Sequence, residues 1–242
     1  MIILAVDTSS RRGSVALSVD QAIAGPIRFG SEDSHLVALS TTIDRLLKER
    51  GLTIRDVDRI ALVAGPGSFT GLRIGMAFVK GIHAALATEV ATMTSLELIA
   101  YPLLDNRCLV CSMIDARKSE VYAALYRLGR EKPDEGVEVV IPPKAVSPKI
   151  FLEALRKTTS SPVLFVGSGA LRYRKRIDGC EGVRASFARG DANTASATVL
   201  ASIAEKLTPL ANEEILMLEP FYIRSSDAEL KRLKAHRTDE RN

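Results

Sequence analysis

Gly65–Arg73 reads GPGSFTGLR, three glycines and a proline in nine residues, with the apolar run RIALVA before it and MAFVKGIHAALA soon after. A glycine-rich turn that opens a helix can cradle an anion, because its free amides and the helix dipole both attract negative charge. It can also be mechanical, since glycine lets a strand turn sharply into a helix and lets two backbones come close. The loop lacks the GxxxxGK[ST] spacing of a phosphate cradle, and its only cation is Arg73. We therefore read Gly65, Gly67 and Gly71 as scaffold.

Nucleophiles and metal ligands are sparse. Cys108 and Cys111 have CxxC spacing but lie in RCLVCSMID, a strand-like run in which residues three apart point to opposite faces. With Cys180 they make an odd set of three, which suits a reducing compartment and supplies no zinc framework. His35, His83 and His236 are scattered without HxxxH or HExxH spacing. No metal site is expected, and no histidine is placed to activate a serine, which excludes a peptidase. Charge is more informative. Six basic residues, Arg172, Arg174, Lys175, Arg176, Arg184 and Arg189, face Asp178 and Glu181 between positions 170 and 190, a local excess equal to the +4 of the whole chain. Such a patch either meets RNA phosphates or forms a solvated face.

These residues need elements to hold them. The chain has 242 residues, 46% hydrophobic and 26% charged, enough for a large core. The start, MIILAVDTSS, has no basic region ahead of its apolar run and meets Asp7 early, unlike a signal peptide. No apolar run approaches the ~20 residues that span a bilayer, and a cytoplasmic protein is expected. IILAV, SVALSV and QAIAGPIRF read as three strands. SEDSHLVALSTTIDRLLKERG reads as a helix, with Leu36, Leu39, Ile43, Leu46 and Leu47 at helical spacing, N-cap candidates at Ser31 to Ser34, and Gly51 beyond its end. DRIALVA reads as a buried strand, 70–87 as a long helix, and EVATMTSLELIAYPL as a strand with a short helix.

The next section repeats the first. VDTSSRRGSVAL (6–17) lines up with IDARKSEVYAAL (114–125) at a shift of 108, and LVAGPGS (62–68) with LFVGSGA (164–170) at a shift of 102. The two shifts predict a duplicated unit of three strands, a helix, a parallel strand and further helices, which is the ribonuclease H-like unit. The expected division is 1–104, 105–225 and a charged tail over 226–242, with the boundary near Pro102 to Asn106. Two such units in tandem are the architecture of the actin, sugar-kinase and Hsp70 superfamily.

AVDTSS, GPGSFTGLRIG, TSLELIA, DARKSEVYAALY and EPFYIR together resemble the TsaB (YeaZ) family. SHLVALSTTIDRLL departs from that family's usual HSExLLPxI pattern. The resemblance implies an α/β fold of two tandem ribonuclease H-like (actin-like, ASKHA) lobes, each a mixed five-stranded sheet with flanking helices. It also implies a noncatalytic subunit for threonylcarbamoyl transfer to adenosine 37 of tRNAs that read ANN codons. The alternative is an independent kinase-like enzyme. A nucleotide cleft of this fold needs glycine in both phosphate turns. DTSSRRG keeps Asp7, Thr8 and Gly13, whereas DARKSE has Asp115 followed by Arg117, Lys118 and Glu120 with no glycine. A degenerate cleft is expected, with no cofactor. In the related catalytic subunit TsaD, histidines of a VNHxxGH-type motif bind metal, and Ser95 and Ile99 stand in their places here. Isoleucine has no donor atom.

The implied partners are TsaD, the ATPase TsaE in the assembled complex, tRNA indirectly or through Arg172, Arg174, Lys175 and Arg176, and a second copy of the chain. The pairing is expected to pack the two main helices of each first lobe together. Candidate contacts are Leu36, Leu39, Ile43, Gly71, Leu72, Arg73, Gly75 and Met76, with the face around Gly71 and Gly75 beside Arg73 chosen as the contact.

Overall fold

The structure, a computed structural model, describes residues 1–30, 35–104, 109–128 and 137–223. Cys108, His236, the cap candidates Ser31–Ser34, the 226–242 tail and part of the expected lobe boundary lie outside the described residues.

Among the described residues the strands form two five-stranded sheets of one topology. In the first, β1 (Ile2–Asp7), β2 (Arg12–Val19) and β3 (Ala22–Gly30) make an antiparallel meander, and β4 (Arg59–Gly65) and β5 (Glu89–Thr94) extend it parallel to β1. The order is β3-β2-β1-β4-β5. In the second, β6 (Leu109–Arg117), β7 (Glu120–Leu128) and β8 (Val137–Val146) make the meander, and β9 (Val163–Val166) and β10 (Ala185–Phe187) the parallel extension. Reversed, its order is β8-β7-β6-β9-β10, the same plan. The duplication read from the sequence is therefore present strand for strand.

β4 is buried at all seven positions, which explains its continuous apolar run, and both neighbours pair with it parallel. Helices α1 (His35–Lys48) and α2 (Phe69–Leu86) cover one face of the first sheet, where Leu39, Ile43, Leu46, Met76 and Val79 meet Leu4, Val6, Leu17 and Leu62. The other face is covered by a late segment: α7 (Ala197–Ile203) packs Ala197, Leu200 and Ala201 on Ile3, Ala5, Ala16, Ala61 and Val63. Residues that the sequence places with the second lobe thus return to the first. Arg59 secures that return. Its buried guanidinium binds Glu89 at 2.7 Å and donates to the carbonyls of Ala204, Glu205 and Leu207 beyond the end of α7.

In the second lobe α4 (Pro148–Thr158), α5 (Ser168–Arg172) and α6 (Arg174–Asp178) cover one face of the sheet, with Phe151, Leu152 and Ile177 in its core. Helix α3 (Ser95–Ala100) lies between the lobes, packing Leu96, Ile99 and Ala100 against Val110, Ala124, Tyr126 and Val166. The Leu96 carbonyl accepts from Ser112 Oγ at 2.7 Å. Helix α8 (Asn212–Leu216) and the segment after it run past the end of β4, where the Phe221 amide donates to the Ala64 carbonyl.

Candidate functional site

The glycine loop joins β4 to α2 at the carboxyl ends of the parallel strands, where ligands of open α/β sheets bind. Gly65 has φ of +113°, a conformation glycine adopts without penalty, and its counterpart Gly167 after β9 has φ of +102°. What the loop touches here is the turn after β1. A Cβ on Gly67 would collide with the Ser9 carbonyl, and one on Gly71 with the Thr8 carbonyl. The Ser68 amide donates to the Ser9 carbonyl at 2.6 Å, and Ser68 Oγ caps α2 through the Gly71 amide. The glycines hold α2 against the first turn, as scaffold.

The four cleft candidates are distributed between the two turns. Asp7 ends β1 and is buried, with Oδ1 accepting from the Ser9 amide at 2.8 Å and Ser9 Oγ at 2.6 Å. Burial pushes its carboxyl up from the usual range, against those two hydrogen bonds. Thr8 is buried, and its hydroxyl has no hydrogen-bond partner. Gly13 is filled by the Phe29 ring, which occupies the place of a Cβ. Asp115, two residues before the end of β6, carries the salt bridge to Arg172 at 2.7 Å and accepts from the Arg117 amide. Arg117, Lys118 and Ser119 all have positive φ, forming a tight two-residue hairpin with a bulge at its base, and all three are exposed.

Helix α3 holds Ser95 and Ile99, the two positions compared with metal-binding histidines in the sequence. Thr94 and Glu97 form a reciprocal cap at its start. Ser95 is 1% exposed with an unpartnered hydroxyl, and Ile99 is 5% exposed in the core between lobes. Neither presents a donor to solvent. Among the described residues no three His, Cys, Asp or Glu side chains gather as metal ligands. Beside α3 lies a cavity of about 480 Å³ lined by Thr92, Thr94, Glu97, Glu219, Phe221 and Tyr222 among others. Behind it, burial and the Glu97 charge push the Tyr126 phenol up.

The expected partner face needs correction. Leu39, Ile43, Gly71, Leu72, Gly75 and Met76 are all buried inside the first lobe. A Cβ on Gly75 would strike Thr8 Oγ1 and lie 3.2 Å from Leu62 Cδ1, so this glycine faces its own sheet. Leu36 and Arg73, of the same candidate set, are exposed. The open face of α2 is its opposite side, Arg73, Ala77, Gly81 and Ala84, spaced i, i+4, i+8 and i+11. Nothing lies within 4 Å of a Cβ placed on Gly81. At the amino end of that stripe Arg73 lies 3.8 Å over the Phe69 ring, donates to the Tyr222 hydroxyl at 3.0 Å, and Phe69 stacks on Tyr222. Leu36 and Val37, 48% and 59% exposed, lie on α1. Between the helices is a groove of about 300 Å³ lined by Ile43, Leu47, Leu52, Phe78 and Ile82 among others.

A family model described as TsaD, tRNA N6-adenosine threonylcarbamoyltransferase, matches residues 30–231. The tRNA threonylcarbamoyladenosine biosynthesis protein TsaB of Bacillus subtilis is 26% identical over 98% of this chain and all of its own length. The chain belongs to the TsaD family, in its TsaB (YeaZ) branch. The TsaB protein of Haemophilus influenzae is 28% identical over 72% of this chain and 74% of its own. The solved YeaZ structure of Pseudomonas aeruginosa shares the fold, with a TM-score of 0.70 and 24% identity over 91% of this chain and 99% of that one. Membership in this branch agrees with the repeated five-stranded plan of the two sheets. No helix of the described residues is long and apolar enough to cross a membrane.

Proposed function

We propose that this chain is a cytoplasmic, noncatalytic subunit for threonylcarbamoyl transfer to adenosine 37 of ANN-decoding tRNAs, pairing with TsaD and helping to form the site where TsaE docks. The observation that carries the reading is the interior of α3. The two places at which the resemblance implies metal-binding histidines in TsaD hold a buried serine and a core isoleucine here, while the likeness to a TsaB protein runs over 98% of the chain. A transferase site cannot be built on Ile99, whereas a partner surface can be built elsewhere.

The pairing face is the open side of α2 with the exposed residues of α1. Arg73, Phe69 and Tyr222 form an exposed aromatic and guanidinium cluster, the composition that anchors interfaces. Ala77 and Gly81 let a partner helix come close, and the groove beside Phe78 and Ile82 accepts its larger side chains. The same face serves a second copy of this chain when TsaD is absent.

The test is reconstitution with tRNA, TsaD, TsaE, ATP–magnesium and an activated threonylcarbamoyl donor. Modified adenosine forms only when this chain and TsaD are both present, and the isolated chain neither binds ATP–magnesium at micromolar concentration nor turns it over. ATP turnover by the isolated chain would establish the kinase-like reading instead.

A further inference from the structure

The second lobe carries a charged surface that pairing does not use. Lys175 and Arg176 on α6 are exposed, as are Arg172, Arg174 and Arg189 around them. The structure adds a second contributor to this patch. The salt bridge from Arg172 to Asp115 ties α5 to the end of β6, and Asp115 also accepts from the Arg117 amide, so the β6–β7 hairpin with exposed Arg117 and Lys118 is anchored beside Arg172. Asp115 and Asp178 are each engaged by an arginine, at 2.7 Å from Arg172 and 3.6 Å from Arg174. Glu120, Glu181 and Asp191 are the other acids near these residues in sequence, and Glu153 lines a cavity with Arg176 and Glu181.

The arginines are also pre-positioned. Arg174 lies 4.5 Å over the Phe187 ring and Arg172 lies 5.7 Å over Tyr173. A guanidinium held over a ring and against a carboxylate still has N–H groups beyond the one its partner takes, and it loses less freedom on binding than a free side chain. Clustered basic residues interleaved with aromatic rings are the composition that meets a nucleic-acid backbone. We infer that α5, α6 and the β6–β7 hairpin form one surface that binds the phosphate backbone of RNA, with tRNA as its ligand. The choice of tRNA rests on the function proposed above, whereas the recognition of phosphate rests on the surface alone.

The probe is unmodified tRNA, titrated against the full chain from low salt upward, alone and with TsaD. Each phosphate contact contributes roughly 0.7 to 0.9 to the slope of log affinity against log salt. The triple variant Arg174→Gln, Lys175→Gln, Arg176→Gln should flatten that slope by about 2 and weaken binding at least tenfold at about 0.15 M salt. The pair Arg117→Gln, Lys118→Gln should flatten it by about 1.5. A control triple on the first lobe, Arg28→Gln, Arg50→Gln, Arg55→Gln, removes the same charge and should change neither quantity. If the two triples behave alike, or if the α6 triple loses only anionic vesicles and keeps tRNA, the RNA surface is overturned. Pairing with TsaD is measured in the same samples. Normal pairing with unchanged tRNA affinity removes the surface and leaves the partner reading intact, whereas absent pairing with a flattened slope does the reverse.

Discussion

The two lobes repeat one sheet but finish it differently. After β4 the chain enters an 18-residue helix clamped on the first turn, and after β9 it enters a five-residue helix that gives way at Tyr173 to a second short one. The first turn is sealed: Asp7, Thr8 and Ser9 are buried, and Gly67, Gly71 and Gly75 hold α2 against Thr8 and Ser9. Its equivalent in the second lobe stands open, a strained hairpin with Arg117 and Lys118 exposed. Burial of one turn frees the outer side of α2 as a smooth helical face, and exposure of the other leaves a basic rim. Under the proposed function, one duplicated scaffold thus provides a pairing face on one lobe and a phosphate-facing surface on the other.

The clamp is where the lobes differ most in tolerance to added bulk. A methyl group at Gly67 meets backbone that cannot move without shifting α2 off the turn, while at Gly169 the nearest atoms are 3.0 Å away. Gly67→Ala is expected to cost roughly 3 kcal/mol, at the upper end of overpacking, and Gly169→Ala about 1 kcal/mol, as read by urea denaturation. Equal costs would mean that the two turns are held alike.

Gly75 sharpens the same point, because its nearest obstacle is one side chain. Gly75→Ala should cost roughly 1 to 2 kcal/mol, and most of that cost should vanish in a Thr8→Ala background, since the colliding hydroxyl is gone. A double-mutant cycle with no coupling would place Gly75 away from Thr8.

Asp7 gives the smallest effect, and it depends on pH. Its folded pKa is raised above the unfolded value of 3.8, so the protonated form favours the fold. That stability is present below pH 3.8 and lost as pH rises through the folded value. Asp7→Asn, whose side-chain oxygen still accepts from Ser9, should therefore be more stable than the parent at pH 7, with the gain fading toward pH 4. A gain independent of pH would contradict burial as the cause.

Much of the fold is legible in the sequence, and the failures have a common reason. Continuous apolar runs locate β1 and β4, and two matches at nearly equal shift reveal the repeat, because both signals are local or translational. The sequence misplaces the inward side of α2, although Leu72, Met76 and Val79 at i, i+4 and i+7 mark the buried arc and Gly71 and Gly75 fall within it. Small residues occur on both sides of this helix, and only the distant turn at Thr8 shows which set is enclosed. The return of α7 to the first sheet and the docking of Phe221 on Ala64 join segments far apart in sequence. An amphipathic stretch announces that it will be buried, not by which sheet. Phe69 and Tyr222 escape notice as an anchor for the same reason, though GPGSFTGLR holds the one and EPFYIR the other.

The most direct test is the pairing of a Gly81→Trp variant with TsaD, followed by light scattering of the mixed proteins. Gly81 lies on the open side of α2 with nothing within 4 Å of its Cβ, so a larger side chain leaves the helix there without a clash at its first atom. A pairing face on this side of α2 predicts a variant that melts within a few degrees of the parent, forms no complex with TsaD and supports no adenosine modification. A folded Gly81→Trp chain that still pairs at parental affinity would contradict it.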